Sequence, residues 1–196
     1  MRTVTYGAAC SLDGFIAARD GAIDWLHFSR DVQGVMAKYW ATVDTIVMGR
    51  KTWGDAVARA GSGGGFGGDP AMRTYVCSRT LDRIDAPGVE LVRGDAADFV
   101  RALKKKPGKG ICVMGGGELA ASLLEAGVVD EVGLNVHPIL LGAGVPMFGA
   151  MRGRVRLALV ESRTIDGGCV LATYRVKASR PRSRPTKTTA TTAAAS

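Results

Sequence analysis

The 196-residue sequence has no apolar run long enough to span a membrane. Its opening stretch has no secretory profile either, because Asp13 and Gly14 interrupt the apolar residues there. Both absences predict a cytoplasmic protein. Paired cysteines are missing too: Cys10, Cys77, Cys112 and Cys169 each stand alone in or at the end of an apolar run, with no C-x-x-C spacing. That argues against a disulfide framework and against a metal site, and reads the four as small buried hydrophobes in a reducing compartment. Residues 178–196 contain no acid and no large apolar side chain, but carry Arg180, Arg182, Arg184 and Lys187. Such a composition cannot build a core and predicts a disordered basic tail. The formal net charge is +8, so setting aside those four cations leaves +4 on the body, too little to require a nucleic-acid partner. A nucleic-acid-associated protein working through its tail is the non-enzymatic alternative.

What remains is ordinary for one soluble domain over residues 1–177, with 46% hydrophobic and 22% charged residues in the whole chain. Its most informative stretch is Ile111–Gly127, ICVMGGGELAASLLEAG. The run Ile111–Met114 reads as a buried strand, Gly115, Gly116 and Gly117 turn the chain, and Leu119, Leu123 and Leu124 recur at helical spacing up to Gly127. A strand, a side-chain-free turn and a helix N-terminus form either a tight corner or an anion site, since the first N–H groups of a helix have no partner within it. Gly115, Gly117 and Ala120 match a relaxed G-x-G-x-x-A fingerprint. They lie past mid-chain, and Asp130 and Glu131 precede the next strand instead of ending it, which argues against a Rossmann domain.

Two further corners follow the same logic. Thr45–Met48 reads as a strand leading through Gly49-Arg50-Lys51-Thr52 into a second helix start, which adds two cations to an open backbone. Arg73–Cys77 reads as a strand delivering Ser78, Arg79 and Thr80, a phosphomonoester pocket or a capped polar turn. Elsewhere, Thr3–Cys10 reads as a central strand, followed by a loop over 11–24 of the kind that closes over ligands. A helix is predicted from Ser29 as N-cap to Trp40, with Val32, Val35, Met36, Tyr39 and Trp40 inward. Gly61–Gly68 reads as a mobile low-complexity loop. Val89–Val92 reads as a strand, and Asp95 as the cap of a helix ending in a solvated basic run, Lys104–Lys106. Strands at Asp130–Leu141, Arg154–Ser162 and Cys169–Val176 complete the pattern. Strands alternating with helices and closing in an antiparallel pair predict an α/β fold with a mixed, mostly parallel sheet of about eight strands.

Five segments taken together carry a resemblance: SLDGFIA at Ser11–Ala17, DTIVMGRKTW at Asp44–Trp53, TYVCSRTL at Thr74–Leu81, VMGGGELAASLLEAGVVDEV at Val113–Val132 and HPILLGAGVPMF at His137–Phe148. The chain resembles the dihydrofolate reductase-like superfamily, three-layer α/β/α proteins. Within it, the chain is similar to the branch of the C-terminal reductase domain of the bacterial riboflavin-biosynthesis deaminase-reductase. The resemblance implies NADPH bound along the C-terminal ends of the strands. It places Gly49, Arg50, Lys51 and Thr52 at the diphosphate and adenosine phosphate, and Ser78 and Arg79 at the 2′-phosphate. Gly115, Gly116, Gly117, Glu118 and Leu119 would lie under the diphosphate, and Ala9, Ile16 and Ala17 would line the nicotinamide. It also implies a homodimer.

The implied chemistry is hydride transfer to a small heterocyclic or carbonyl substrate, of the 5-amino-6-(5-phosphoribosylamino)uracil reductase type, or alternatively to dihydrofolate or another pterin. No H-x-E with a P-C-x-x-C zinc signature is present, so the resemblance extends to a reductase half only. The proton donor is open. Dihydrofolate reductases carry a carboxylate about five residues after a tryptophan on the first helix. Counted from Trp25 that position is Arg30, with Asp31 next to it. Asp13, in S-L-D-G, ranks ahead of Asp31 as the candidate acid, and its alternative role is an Asx turn. His27 is a weaker candidate acid, and His137, beside Pro138, is read as structural.

Overall fold

The computed structural model describes residues 1–60 and 72–178; the glycine-rich loop predicted at 61–68 and the basic tail fall outside them. Ten strands and four helices follow in the order β1 (Val4–Ser11), β2 (Phe15–Ala17), α1 (Arg30–Ala41), β3 (Val43–Gly49), α2 (Arg50–Ala60), β4 (Arg73–Cys77), β5 (Val89–Val92), α3 (Ala96–Lys105), β6 (Gly110–Met114), α4 (Gly117–Glu125), β7 (Glu131–His137), β8 (Val145–Pro146), β9 (Leu157–Ile165) and β10 (Cys169–Val176). Eight strands form one sheet in the order β5-β4-β3-β6-β1-β7-β10-β9, and β2 and β8 make a separate two-stranded ribbon. The sheet is parallel from β5 through β7 and antiparallel at β10 and β9.

The layering follows from the alternation of side chains along each strand. Val4 and Tyr6 of β1, Val47 of β3, Val113 of β6 and Val132 of β7 face one side. There they pack against Val100 and Leu103 of α3 and Ala120, Leu123 and Leu124 of α4. Ile46, Met48, Val76 and Cys112 face the other side, against Tyr39 and Trp40 of α1 and Trp53 of α2. Val32 of α1 meets Ile165, Cys169 and Leu171 at the antiparallel end. This is the three-layer α/β/α architecture of the dihydrofolate reductase-like fold.

The helix caps are those the sequence predicts. Ser29 Oγ accepts from the Val32 amide (3.2 Å) and Asp95 Oδ1 from the Asp98 amide (2.9 Å). The differences are instructive. Lys104 is buried instead of solvated, because the register of α3 against the α4–β7 connection brings its ammonium to the Asp130 carboxylate (2.7 Å) and the Val128 carbonyl (3.2 Å). Met36, expected inward, is 41% exposed; the α1 residues packed in the core clusters are Val32, Tyr39 and Trp40. The strand expected through Leu141 ends at His137, where Pro138 removes the next backbone donor. The penultimate strand lies three residues later than expected, at Leu157–Ile165. Ile165 then faces Cys169 across the tight Asp166–Gly168 turn, whose Gly167 has φ of 76°.

Three of the four cysteines are buried and Cys77 is half-buried, all as free thiols. Burial pushes Cys10, Cys77 and Cys112 up to about 11, so they stay protonated and non-nucleophilic. Among the described residues no helix is long and apolar enough to cross a membrane, and no cluster of three potential metal ligands occurs.

Candidate functional site

Because β4, β3, β6 and β1 are parallel neighbours, their C-terminal ends lie side by side. Cys77 is in register with Gly49, Met48 with Met114, and Met114 with Gly7. The three corners predicted as anion sites are thereby set in a row: Ser78-Arg79 after β4, Gly49-Arg50 after β3 and Gly115–Gly117 after β6. Strand β1 continues past them through Ala8 to Ser11.

The central two corners fuse into one cradle. A Cβ on Gly115 would lie 2.8 Å from Thr52 Cγ2 and 3.0 Å from Thr52 Oγ1, and one on Gly116 would lie 3.3 Å from Thr52 Oγ1. Gly115 and Gly116 also have φ of 57° and 67°, a region that L side chains resist. The turn must therefore be bare, and α2 closes on it from the neighbouring strand. Gly116 caps α4 from a left-handed conformation with no side-chain hydrogen bond. Among the described residues no acceptor meets the amides of Gly117, Glu118 and Leu119 outside the helix itself. Those N–H groups form the partial positive end of α4, directly after the glycine turn.

Cations stand on either side of it. Arg50, Lys51 and Arg79 are exposed and make no ion pair among the described residues. Ser78 is buried, and its Oγ accepts from the amides of Thr80 (3.2 Å) and Leu81 (3.0 Å), so it builds the turn that presents Arg79. The residues present fit a diphosphate nucleotide with a further phosphate. A glycine cradle that a Cβ would fill, uncapped amides and three free cations provide donors and charge of the required sign.

The loop after β1 is tied down by Asp13. Its carboxylate accepts the Ser11 hydroxyl (2.6 Å) and the amides of Leu141 (3.2 Å) and Gly142 (2.7 Å). The Ser11 bond first, then those of Gly142 and Leu141, hold the Asp13 carboxyl below the usual carboxylate range, so it is ionised at neutral pH. Asp31 stands exposed in the first turn of α1, and no contact joins it to Asp13 among the described residues. Ala9 and Ile16 are half-buried and Ala17 is buried, with Phe15 and Ala17 of β2 in register with Pro146 and Val145 of β8.

The β8 side of that ribbon is the part of the site that sequence reasoning missed. Residues 144–149 join the loop to the cradle. The Met147 amide donates to the Gly14 carbonyl (2.9 Å) and the Gly149 amide to the Gly117 carbonyl (2.8 Å). The hydroxyl of Tyr6 donates to the Met147 carbonyl (2.7 Å). Gly144 packs its bare Cα on the Ala17 carbonyl, and a Cβ on Gly117 would meet the Pro146 carbonyl at 2.5 Å. The G-A-G-V-P run was a visible signal of close backbone approach; its partners were not.

A second concavity, of about 330 Å³, runs from the N-terminal ends of the strands up to Gly133 in the middle of β7, lined by Thr3, Thr5, Tyr39, Thr42, Val43, Gly110, Glu131, Gly133 and Thr173. Its lining includes no cation and one carboxylate, so it does not suit a phosphate. The cradle, though an open ridge, does.

Comparison with known proteins gives the family and the fold. The sequence profile of the RibD C-terminal domain matches residues 2–171. The uncharacterized protein YyaP of Bacillus subtilis (strain 168) is 32% identical over 187 residues, covering 88% of this chain and 94% of its own. Among solved structures, a putative riboflavin biosynthesis protein from Shewanella sp. PV-4 superposes with a TM-score of 0.78 at 27% identity, over 90% of this chain and 99% of that one. Dihydrofolate reductase from Enterococcus faecalis, complexed with NADP(H), shares the fold at a TM-score of 0.63 and 19% identity, over 90% and 97% of the two chains. The chain belongs to the RibD C-terminal domain family and has the dihydrofolate reductase-like fold.

Proposed function

We propose that this protein is an NADPH-dependent reductase of a small heterocyclic or carbonyl substrate, of the 5-amino-6-(5-phosphoribosylamino)uracil reductase type. The observation that carries the reading is the single row made by Arg79, Arg50-Lys51-Thr52 and the bare Gly115–Gly117 turn, with its amides and cations unpaired. Family membership supports the same direction, as does the fold shared with a reductase that was solved with NADP(H). Arg79, presented by the Ser78 turn, would take the 2′-phosphate and so favour NADPH over NADH.

The cofactor, when bound, supplies hydride from its nicotinamide ring. The chain's own residues bind, orient and shield. The cradle holds the diphosphate, and β1 beyond Gly7 offers Ala9 as a small surface for a flat ring. The Asp13-anchored loop carries Ile16 and Ala17 over that surface. Reduction also requires a proton on the heteroatom beside the carbon that accepts hydride. Asp13, held ionised by three donors, serves as the anchor of the loop; Asp31, exposed on α1, is the carboxylate left to pass a proton from solvent. Reduction of dihydrofolate is the second reading, favoured by the shared fold and by Asp31 on the first helix. We further propose a homodimer acting in the cytoplasm.

Isothermal calorimetry with NADPH tests the core of the proposal. Saturable heat that weakens in Arg50→Ala and Arg79→Ala supports it; absence of heat with the intact chain overturns it. Oxidation of NADPH against a panel of the pyrimidine intermediate, dihydrofolate and simple aldehydes then distinguishes the substrates.

A further inference from the structure

On the side of the sheet that α1 covers, β1 and β7 set three pairs of residues in register: Gly7 with Gly133, Ala9 with Asn135, and Ser11 with His137. The first pair makes a bare floor. A Cβ on Gly7 would meet nothing within 4 Å, and one on Gly133 would meet only Thr5 Cγ2, at 3.8 Å. Two glycines side by side within central strands weaken pairing, and mark a place where something flat approaches the backbone closely.

The two polar side chains beyond this floor have unused hydrogen-bonding capacity. The Oδ1 atom of Asn135 is buried with no hydrogen-bond partner among the described residues. A buried amide oxygen left unpaired destabilises the folded state, so its presence in a central strand calls for a partner that the folded chain does not supply. His137 is buried, and its Nδ1 accepts from the His27 amide (3.3 Å) and faces the Cys169 thiol (3.4 Å). With Nδ1 an acceptor, the proton of the neutral ring sits on Nε2. Burial first, and His27 second, lower the His137 pKa and keep the ring neutral. Trp25 meets the ring edge-on at 5.5 Å and helps fix its orientation. The Nε2–H has no acceptor among the described residues. Two residues along a strand is roughly 6.6 Å, so these groups stand about one small ring apart.

We propose that Asn135 is the substrate-recognising residue of this reductase, pairing in plane with an N–H/C=O edge of a heterocycle that lies over Gly7 and Gly133, while His137 Nε2–H donates to a further acceptor on it. The proposal rests on the reductase reading above, in which Ala9, the register partner of Asn135, lines the nicotinamide. A carboxamide carries one acceptor and one donor side by side, the complement of a lactam edge. An acyclic aldehyde has no such edge and would gain nothing from Asn135.

The test is Asn135→Leu, close in volume and without polar atoms, with Asn135→Asp as a second variant that keeps the shape and an acceptor but loses the donor. Unliganded Asn135→Leu is expected to melt at least about 3 °C higher than the parent, because the orphaned oxygen is gone. Its KM for lactam-bearing substrates (5-amino-6-(5-phosphoribosylamino)uracil and dihydrofolate) is expected to rise at least about tenfold. The change in kcat should be less than about threefold, with KM for propionaldehyde and affinity for NADPH unchanged. Asn135→Asp should fall between parent and Asn135→Leu in KM. A lactam KM within about threefold of the parent overturns the proposal, as does an equal loss for aldehyde and lactam or a fall in melting temperature. Failure of the reductase reading shows separately, as an intact chain that binds no NADPH.

Discussion

The two edges of the one sheet handle charge in opposite ways. At the N-terminal edge, Arg2 pairs with Asp44, donates to Thr45 Oγ1 (2.7 Å) and to the Lys109 carbonyl (2.5 Å), while the Lys109 amide donates to Asp44 Oδ2 (2.8 Å). Lys104 is closed onto Asp130, whose other bond takes the Val4 amide (2.9 Å). At the C-terminal edge, Arg50, Lys51 and Arg79 have no acidic partner among the described residues, and the first amides of α4 have no cap. Burying paired charges fixes strand register; leaving charges and amides unpaired along a row is costly for the empty fold and useful only to a ligand. One edge is built for folding, and the other is the edge we propose for binding.

The sharpest way to break this comparison is to add one methyl group at each edge. A Cβ on Gly117 would meet the Pro146 carbonyl at 2.5 Å and the Gly149 amide at 3.0 Å, both backbone atoms that cannot swing away. Gly117→Ala should push residues 146–149 off the cradle, and lower NADPH affinity by about 100-fold in calorimetric titration, near the upper end of the roughly 1–3 kcal/mol that overpacking costs. Gly110→Ala, at the other edge, would meet the Thr42 carbonyl at 3.0 Å. That variant should melt earlier and bind NADPH as the parent does. Equal affinity loss in both would show that the edges do not differ in role.

Next in size is Arg79→Ala. Removing a charge-assisted contact to a phosphate is worth roughly 1.5–3 kcal/mol, or about 10- to 100-fold in affinity. The loss should appear for NADPH and be nearly absent for NADH, measured as quenching of tryptophan fluorescence. A loss of equal size for both nucleotides would move Arg79 from the 2′-phosphate to the diphosphate.

The comparison also explains what the sequence could disclose. The proposed binding edge is built from local elements, a strand, a turn and a helix start within a few residues, so the corners at Gly49–Thr52, Ser78-Arg79 and Gly115–Leu119 could each be read as a candidate anion site. The folding edge is built from distant partners. Nothing near Lys104 in the chain announces Asp130, 26 positions away, and the run Lys104–Lys106 therefore read as solvated. The clamp at 144–149 failed to show for the same reason, since its partners are Tyr6, Gly14 and Gly117. Asn135 was missed because a lone polar residue in an alternating strand has no local signature; only the absence of a partner in three dimensions singles it out.

On the folding edge the expected effect is on stability alone. Asp130→Asn keeps an acceptor for the Val4 amide but removes the charge opposite Lys104, whose side chain is 10% exposed against 42% for that of Asp130. A half-exposed pair of this kind is worth about 1–2 kcal/mol. Chemical denaturation should register that loss with no change in NADPH affinity. A parallel fall in affinity would mean that the two edges are coupled through β1.

The smallest effect sits where the loop after β1 is pinned. Ser11, then Gly142 and Leu141, bond the ionised Asp13 and lower its folded pKa below the unfolded value of about 3.9. A carboxyl with a depressed folded pKa stabilises the folded loop at every pH above the unfolded value, and that contribution is lost as pH falls through the folded one. The group is exposed, so the change is local opening of the loop and not global unfolding. Amide exchange at Leu141 and Gly142 should therefore be protected at neutral pH. Protection should fall as acid titrates Asp13, after correction for the acid dependence of intrinsic exchange. In Asp13→Asn it should be low at neutral pH and insensitive to acid. If the two amides keep their protection in that variant, the loop is held by its backbone bonds, such as Leu12–Ile139 and Met147–Gly14, and Asp13 returns to candidacy for proton transfer.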